Sequence, residues 1–234
     1  MTLFITHSAC FEHLTPPGHP ERPDRLRAIE QVLEHEKFAF LVREQCPRAE
    51  LEVVALCHPW EYIERIRRAV PQIGLVQIDD DTVLSAGSFE ASLRAAGGAS
   101  DRTVMYCSTH EMPLFPGTGD WSECGEYNNV VNVPLRAGDG AEAFHEALDI
   151  AILPRLQDFS PDLIVISAGF DAHWLDPLAN LRLSEADFGW ATHKIMEIAD
   201  RRSAGKVISV LEGGYALQSL ASSVAAHVTA LMES

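Results

Sequence analysis

The sequence predicts an α/β protein with a mostly parallel sheet. Two observations support this prediction. Short apolar runs rich in β-branched residues alternate along the chain with longer amphipathic segments, which is the pattern of strands and crossover helices. The runs at 163–166 and 206–211 are nearly continuous in apolar residues, as strands buried on both faces of a parallel sheet are.

The elements can be assigned in chain order from periodicity and from capping residues. Strands are predicted at 2–6, 51–56 (strand-like), 104–108, 128–135, 163–166 and 206–211. Helices are predicted from Asp24, over 59–70 with Tyr62, Ile63 and Ile66 inward, and at 88–96, 140–159, 184 onward and 216–232. Pro154 is expected to kink the long fourth helix, and Ser184 to cap the fifth.

Composition narrows the class of protein. The chain has 234 residues, 47% hydrophobic, and a formal charge of −16, so we expect one soluble domain over 1–234 and no direct contact with nucleic acid. An acidic rim would suit a cationic peptide or polyamine, although acidity can also serve solubility alone. Five scattered cysteines, no long apolar run and no signal-like N-terminus predict a reduced, cytoplasmic protein without a membrane segment.

Polar side chains cluster directly after the apolar run at 163–166. The chain turns at Ser167-Ala168-Gly169 and then presents Asp171, His173 and Asp176 within six residues. Ligands of open parallel sheets bind beyond the carboxyl ends of the strands, so these residues could form a metal or acid–base site. The alternative is that both aspartates only cap turns and the following helix.

A glycine pair follows the apolar run at 206–211 in the same way. Gly213 and Gly214 permit positive φ and a close approach of the backbone to a ligand, and Tyr215 comes next. A Gly-Gly-Tyr turn alone is a weak signal.

Together, these stretches resemble the zinc-dependent histone deacetylase superfamily, especially its bacterial class-II-like and acetylpolyamine amidohydrolase members. The resemblance rests on four segments in the family's order: HPERPDRLRAI, STHEMPLFPGTGD, SAGFDAHWLDPLA and VLEGGYAL. It implies the arginase/deacetylase-like fold, a three-layer α/β/α arrangement around a mostly parallel sheet that is incomplete in this chain. It also implies amide hydrolysis, a Zn²⁺ cofactor, and an acetylated lysine peptide or acetylpolyamine as partner.

The resemblance also implies roles for individual residues. Asp171 would be a metal ligand, and Tyr215 would donate a hydrogen bond to the developing oxyanion. The remaining candidates would bind the substrate or lie around the site and along a channel beneath it: Phe115, Leu178, Gly213, Gly214, Arg25, His173 and Asp176.

One large piece of the family pattern is missing. Near 99–101 the chain passes directly to a segment that, in the family, follows a further two to three βα units, on the order of 60–100 residues. Those units carry a histidine pair and an aspartate-x-histidine that supplies two of the three zinc ligands. This chain contains no His-His pair, and its one Asp-x-His is Asp171-Ala172-His173.

Three hypotheses follow from this internal deletion. The chain is a deacetylase with impaired activity and weak or absent zinc binding, a catalytically dead binding relative, or an internally deleted gene product. A makeshift metal site from His110 and His173 is a further alternative. Excised strands should also leave apolar sheet surface uncovered, which predicts a marginal fold and possible self-association.

Overall fold

The computed structural model describes residues 2–46, 48–55, 58–79, 82–95, 105–114, 117–125 and 128–233. The strands are β1 (Leu3–Thr6), β2 (Val42–Gln45), β3 (Leu75–Gln77), β4 (Val83–Ser85), β5 (Tyr106–Glu111), β6 (Val130–Leu135), β7 (Ile164–Ala168) and β8 (Val207–Leu211). The α-helices are α1 (Asp24–Leu33), α2 (Leu51–Val54), α3 (Trp60–Ala69), α4 (Ser88–Ala95), α5 (Ala141–Glu146), α6 (Leu153–Phe159), α7 (Glu185–Arg202) and α8 (Leu217–Met232). Two 3₁₀ turns, Ser8–Glu12 and Glu36–Phe38, and a π-helical stretch, Ala147–Ile152, complete the regular structure of the described residues.

The strands pair two by two. β1 pairs with β2, β5 with β6 and β7 with β8 in parallel, and β3 pairs with β4 antiparallel. Helices connect the strands of the parallel pairs β1–β2 and β7–β8, so the predicted α/β class is confirmed.

The chain forms two compact units. The first consists of Met1–Arg27 and Glu36–Asp101, and the second of Ala28–His35 and Arg102–Ser234. The second unit contains β5 to β8, α5 to α8 and most of the candidate site residues.

The core of the second unit lies on one face of the β7–β8 pair. Ile164 of β7 packs there with Met196, Ile198 and Ala199 of α7, and α6 and α8 contribute partly buried leucines. Val165 and Ile208 are paired neighbours in β7 and β8 that point to the opposite face, and they are 60% and 50% exposed. The prediction that these strands are buried on both faces is therefore wrong, because in the described residues helices cover only one face.

Two local predictions in the first unit differ from the structure. The segment predicted as strand-like from Leu51 forms the short helix α2, closed by a hydrogen bond from Ala55 N–H to Leu51 C=O (2.8 Å). Tyr62 is 42% exposed rather than inward. The guanidinium carbon of Arg65 lies over its ring, 5.1 Å from the ring centroid. Ile63 is buried as predicted.

The long helix predicted over 140–159 changes its winding in the middle. Its central turns, Ala147–Ile152, are π-helical and end just before Pro154. Proline has no N–H to continue an α-helical ladder, so an altered winding ahead of it follows from its chemistry.

Within the ranges given above, the helices are all too short or too polar to cross a lipid bilayer.

Candidate functional site

The candidate site lies where β7 and β8 end. The parallel ladder runs one step past both strands, since Glu212 N–H donates to Ala168 C=O (2.9 Å) and Phe170 N–H donates to Gly213 C=O (3.0 Å). The chain after β7 then turns away, because Phe170 C=O accepts from His173 N–H (3.2 Å). This arrangement brings the segment with Asp171 beside the Gly213–Tyr215 turn.

Both glycines of that turn are required by its geometry. A Cβ on Gly213 would lie 2.5 Å from Oδ2 of Asp171, so the Asp171 carboxylate contacts the turn where only glycine fits. Gly214 has φ +116°, and a Cβ there would lie 2.9 Å from Leu220 Cδ1. Positive φ disfavours any other residue. The positive φ expected at this turn occurs at Gly214, and the group that lies against Gly213 is the Asp171 side chain. A close approach of this backbone to a ligand stays a prediction.

The Asp176 carboxylate is buried and connects the two loops. Its Oδ2 accepts from Tyr215 N–H (2.7 Å), and its Oδ1 accepts from Leu178 N–H (3.0 Å). Asp176 therefore does more than cap a turn of its own loop. Tyr215 is half-buried, and Leu178 is 50% exposed.

A second buried carboxylate, Glu111 at the end of β5, holds the far end of the same loop. It accepts from Asn180 N–H (2.6 Å) and from Asn180 Nδ2–H (2.8 Å). Glu111 was not predicted from the sequence. Its position three residues after the predicted strand at 104–108, inside the segment STHEMPLFPGTGD, was the available signal.

His173 has both ring nitrogens engaged. It is almost fully buried, its Nδ1 accepts from Leu175 N–H (3.1 Å), and its Nε2 lies 3.2 Å from a Glu185 carboxylate oxygen. Because Nδ1 is an acceptor, the proton sits on Nε2 and is donated to Glu185. The backbone N–H of Glu185 and then the His173 ring hold the pKa of the Glu185 carboxyl below its ordinary value.

His110 is engaged in the same way. Its Nε2 donates to Gly119 C=O (3.0 Å), and its Nδ1 therefore accepts from the Ser108 hydroxyl (2.9 Å). Neither His110 nor His173 offers a nitrogen to a metal ion without losing an existing hydrogen bond. The makeshift site proposed from these two histidines is not supported by their geometry.

Two further candidates lie elsewhere. Arg25, in the first unit, is buried and forms an ion pair with Glu21. Phe115, and the apparent junction at 99–101, lie outside the described residues.

The residues that the structure describes do not form a site that fits a zinc ion. A catalytic zinc takes about three protein ligands. Among the residues that the structure describes, no three His, Cys, Asp or Glu side chains are grouped closely enough to hold a metal. Asp171 supplies one carboxylate. His173, on the same loop, already forms hydrogen bonds with Glu185 and Leu175 through its two ring nitrogens.

Several known proteins are similar to this chain. An uncharacterized protein of Synechocystis is 44% identical over 121 residues, which are 52% of this chain and 38% of that protein. A probable deacetylase of Archaeoglobus fulgidus is 27% identical over 300 residues, covering 93% of this chain and 82% of that protein. A histone deacetylase-like amidohydrolase of Pseudomonas aeruginosa is 37% identical over 116 residues, 48% of this chain and 30% of its own length.

This chain thus spans well under half the length of the Synechocystis and Pseudomonas proteins. The crystal structure of the HDA15 HD domain superposes with a TM-score of 0.87 at 22% identity, covering 99% of this chain and 88% of that one. That likeness establishes the fold.

The family model described as "Histone deacetylase domain" matches residues 99–231. This segment is more than half of the chain and includes Asp171, Asp176 and Tyr215. The chain belongs to the histone deacetylase family.

Proposed function

We propose that this chain is a deacetylase-family protein directed at acylated amines, acetyl-lysine peptides or acetylpolyamines, whose hydrolysis of the amide bond is very slow or absent. The observation that carries the proposal is the site at the ends of β7 and β8. There the Asp171 carboxylate lies against the Gly213–Gly214 turn, and the Asp176 carboxylate accepts a hydrogen bond from the Tyr215 N–H that follows the turn. The described side chains do not include three metal donors grouped at one site.

The chemistry explains the expected loss of rate. Amide hydrolysis needs an activated water, a polarised carbonyl and a proton for the leaving amine. The Tyr215 hydroxyl can donate a hydrogen bond to an oxyanion. Neither His173 nor His110 is available as the general base, because both ring nitrogens of each already form hydrogen bonds within the protein. Loss of a catalytic group commonly lowers the rate by several orders of magnitude.

An internal loss of sequence fits this proposal. The alignment to the Archaeoglobus protein extends over 300 positions, more than the 234 residues of this chain. That relative therefore has residues opposite gaps in this chain, which supports a missing internal segment. Sequencing the gene around Ser100 and Asp101 tests this point: an intact copy of the segment in frame would make the shorter chain an internally deleted product.

The zinc content of the purified protein, measured by elemental analysis beside hydrolysis of a fluorogenic acetyl-lysine peptide, tests the proposed function. We expect less than stoichiometric zinc and turnover no faster than that of the Tyr215→Phe variant. About one zinc per chain, with turnover that a hydroxamate blocks, would refute the proposal.

A second candidate function is binding of acylated amines without turnover. It is favoured by the side chains of Trp174, Leu175 and Leu178, which are about half exposed on the loop that Asp176 and Glu111 hold. Calorimetric titration with an acetyl-lysine peptide tests it, with the unacetylated peptide as control. Equal affinity for both peptides would exclude recognition of the acyl group.

A further inference from the structure

We propose that Asp176 is the positioning residue of Tyr215: its carboxylate holds the tyrosine backbone in register with the Asp171 loop. The proposal rests on the proposed function in one respect, that Tyr215 faces the substrate. The contact itself is a property of the fold and is tested separately from any activity.

The ladder between β7 and β8 leaves the Tyr215 amide without its expected acceptor. Phe170 N–H bonds to Gly213 C=O (3.0 Å) instead of to the preceding carbonyl, so the pairing is shifted by one residue at this point. After such a shift the next donor of the β8 chain is Tyr215 N–H, and its parallel-sheet acceptor would be Phe170 C=O. That carbonyl already accepts from His173 N–H.

Asp176 takes the place of the missing carbonyl. Its Oδ2 lies 2.7 Å from Tyr215 N, in the range of a charge-assisted hydrogen bond, and the residue is only 8% exposed. The second oxygen is committed to Leu178 N–H. One buried carboxylate therefore sets the position of Tyr215 and of the loop with the exposed Leu178 together.

Asp176→Asn is the informative variant. The side chains are isosteric, but both carboxylate oxygens accept hydrogen bonds from N–H groups. An amide presents one N–H₂ to one of these donors, so at least one of the two bonds is lost. If the amide oxygen keeps the bond to Tyr215 N–H, that bond is weaker, because a neutral oxygen is a poorer acceptor than a carboxylate.

Glu111→Gln is the matched control. Glu111 is also 8% exposed, it also accepts two N–H bonds, and it holds the same loop through Asn180. Its carboxylate bonds to Asn180 and not to the Tyr215 amide. A general loosening of the loop would follow from either variant, whereas a specific effect on Tyr215 would follow only from Asp176→Asn.

The experiment is NMR of the full chain with ¹⁵N-labelled tyrosine. The chain has four tyrosines, and the Tyr215 signal is identified by its loss in Tyr215→Phe. In the wild type we expect a downfield amide proton that exchanges slowly with solvent. In Asp176→Asn this signal should move upfield and exchange roughly ten- to a hundredfold faster, while in Glu111→Gln it should stay within about threefold of the wild-type exchange rate.

Three results would overturn the proposal: a wild-type Tyr215 amide without protection, an unchanged signal in Asp176→Asn, or equal changes in both variants. The first needs no variant and applies even if Asp176→Asn does not fold. Titration with an acetyl-lysine peptide on the same samples reports on the proposed function alone. A wild-type protein that binds nothing would leave the amide result intact.

Discussion

At Gly213 the geometry of the site depends on the absence of a side chain. A Cβ at this position would lie within 2.6 Å of all three carboxyl atoms of Asp171. Gly213→Ala must displace either the turn or the carboxylate, and we expect a loss of about 1–3 kcal/mol in the free energy of unfolding.

Urea unfolding followed by circular dichroism measures this loss, and Gly189→Ala is its control. A Cβ on Gly189, inside α7, would meet Ala226 Cβ at an ordinary 3.6 Å. Because alanine favours a helix interior over glycine, this variant should be neutral or more stable by up to about 1 kcal/mol. Equal losses in both variants would contradict the steric argument.

His227, on α8, belongs to a buried hydrogen-bonded chain that joins α7 to β8. The Thr192 hydroxyl donates to Phe188 C=O (2.7 Å) and therefore accepts from His227 Nδ1–H (2.6 Å). His227 Nε2 then accepts from the Ser209 hydroxyl (2.8 Å). This order of donors requires the neutral imidazole with its proton on Nδ1.

Stability should depend on pH through this ring. Burial lowers the pKa of His227 from 6.5 to about 4, because the charged form would lose its hydration. The neutral ring stabilises the folded state fully above pH 6.5, and this contribution is lost as the pH falls from 6.5 towards 4. Its full size is on the order of 3 kcal/mol.

Denaturant midpoints measured between pH 4 and pH 8 test the prediction. Carboxylates also titrate in this range, so the comparison is with His227→Gln, which should be less stable at pH 8 but lose less stability on acidification. Parallel curves for the two proteins would exclude His227 as the cause.

At the scale of elements, helix α7 depends on its first turn. The Asp187 carboxylate accepts from both the backbone N–H and the hydroxyl of Ser184, each at 2.8 Å, and lies 2.9 Å from His145 Nε2 on α5. Asp187→Ala should lower the free energy of unfolding by about 1–2 kcal/mol. Glu197→Ala, on the exposed face of the same helix, should change it by less than about 0.5 kcal/mol. Thermal and urea unfolding of the two variants distinguish these values.

Elements with strong local signals were predictable. Ser184 is the N-cap of α7 as expected, and β6, β7 and β8 lie within one or two residues of the apolar runs that predicted them. The strands β2 and β3 were not predicted, because their side chains are mostly exposed and show no buried alternation. Their pairing depends on partners that a local pattern does not contain.

The site was predictable in part. Asp171, Gly213, Gly214 and Tyr215 follow two apolar strands, and parallel strands place their carboxyl ends side by side. The bond from Asp176 to Tyr215 joins residues 39 positions apart, and the bond from Glu111 to Asn180 joins residues 69 apart. Such contacts depend on the tertiary packing of loops, so residue spacing alone could not have revealed them.

At the scale of the molecule, the outer face of the β7–β8 pair should govern solution behaviour. Val165 is 60% exposed and its chain neighbour Ile164 is 7% exposed. Val165→Thr should reduce self-association and leave the melting temperature within about 2 °C, since it removes exposed apolar surface. Ile164→Thr should lower the free energy of unfolding by about 2 kcal/mol or more, because it buries a hydroxyl in the core.

Sedimentation at micromolar concentration and thermal melts test this pair of variants. We expect the apparent molecular mass of the wild type to rise with protein concentration. In Val165→Thr the apparent mass at the same concentration should be lower. A monomeric wild type with a cooperative melt above about 60 °C would contradict both the predicted association and the predicted marginal fold.

The division of the strands into separate pairs has a consequence for cooperativity. β5 bonds to β6 and β7 to β8, and over the described ranges no ladder joins one pair to the other. Hydrogen bonds that continue across a sheet make its strands open together, whereas separate ladders can open one at a time. Amide protection should therefore divide into sub-global groups with different opening free energies. The most stable of these groups should be the β7–β8 pair with α7 and α8, which carries the residues of the site.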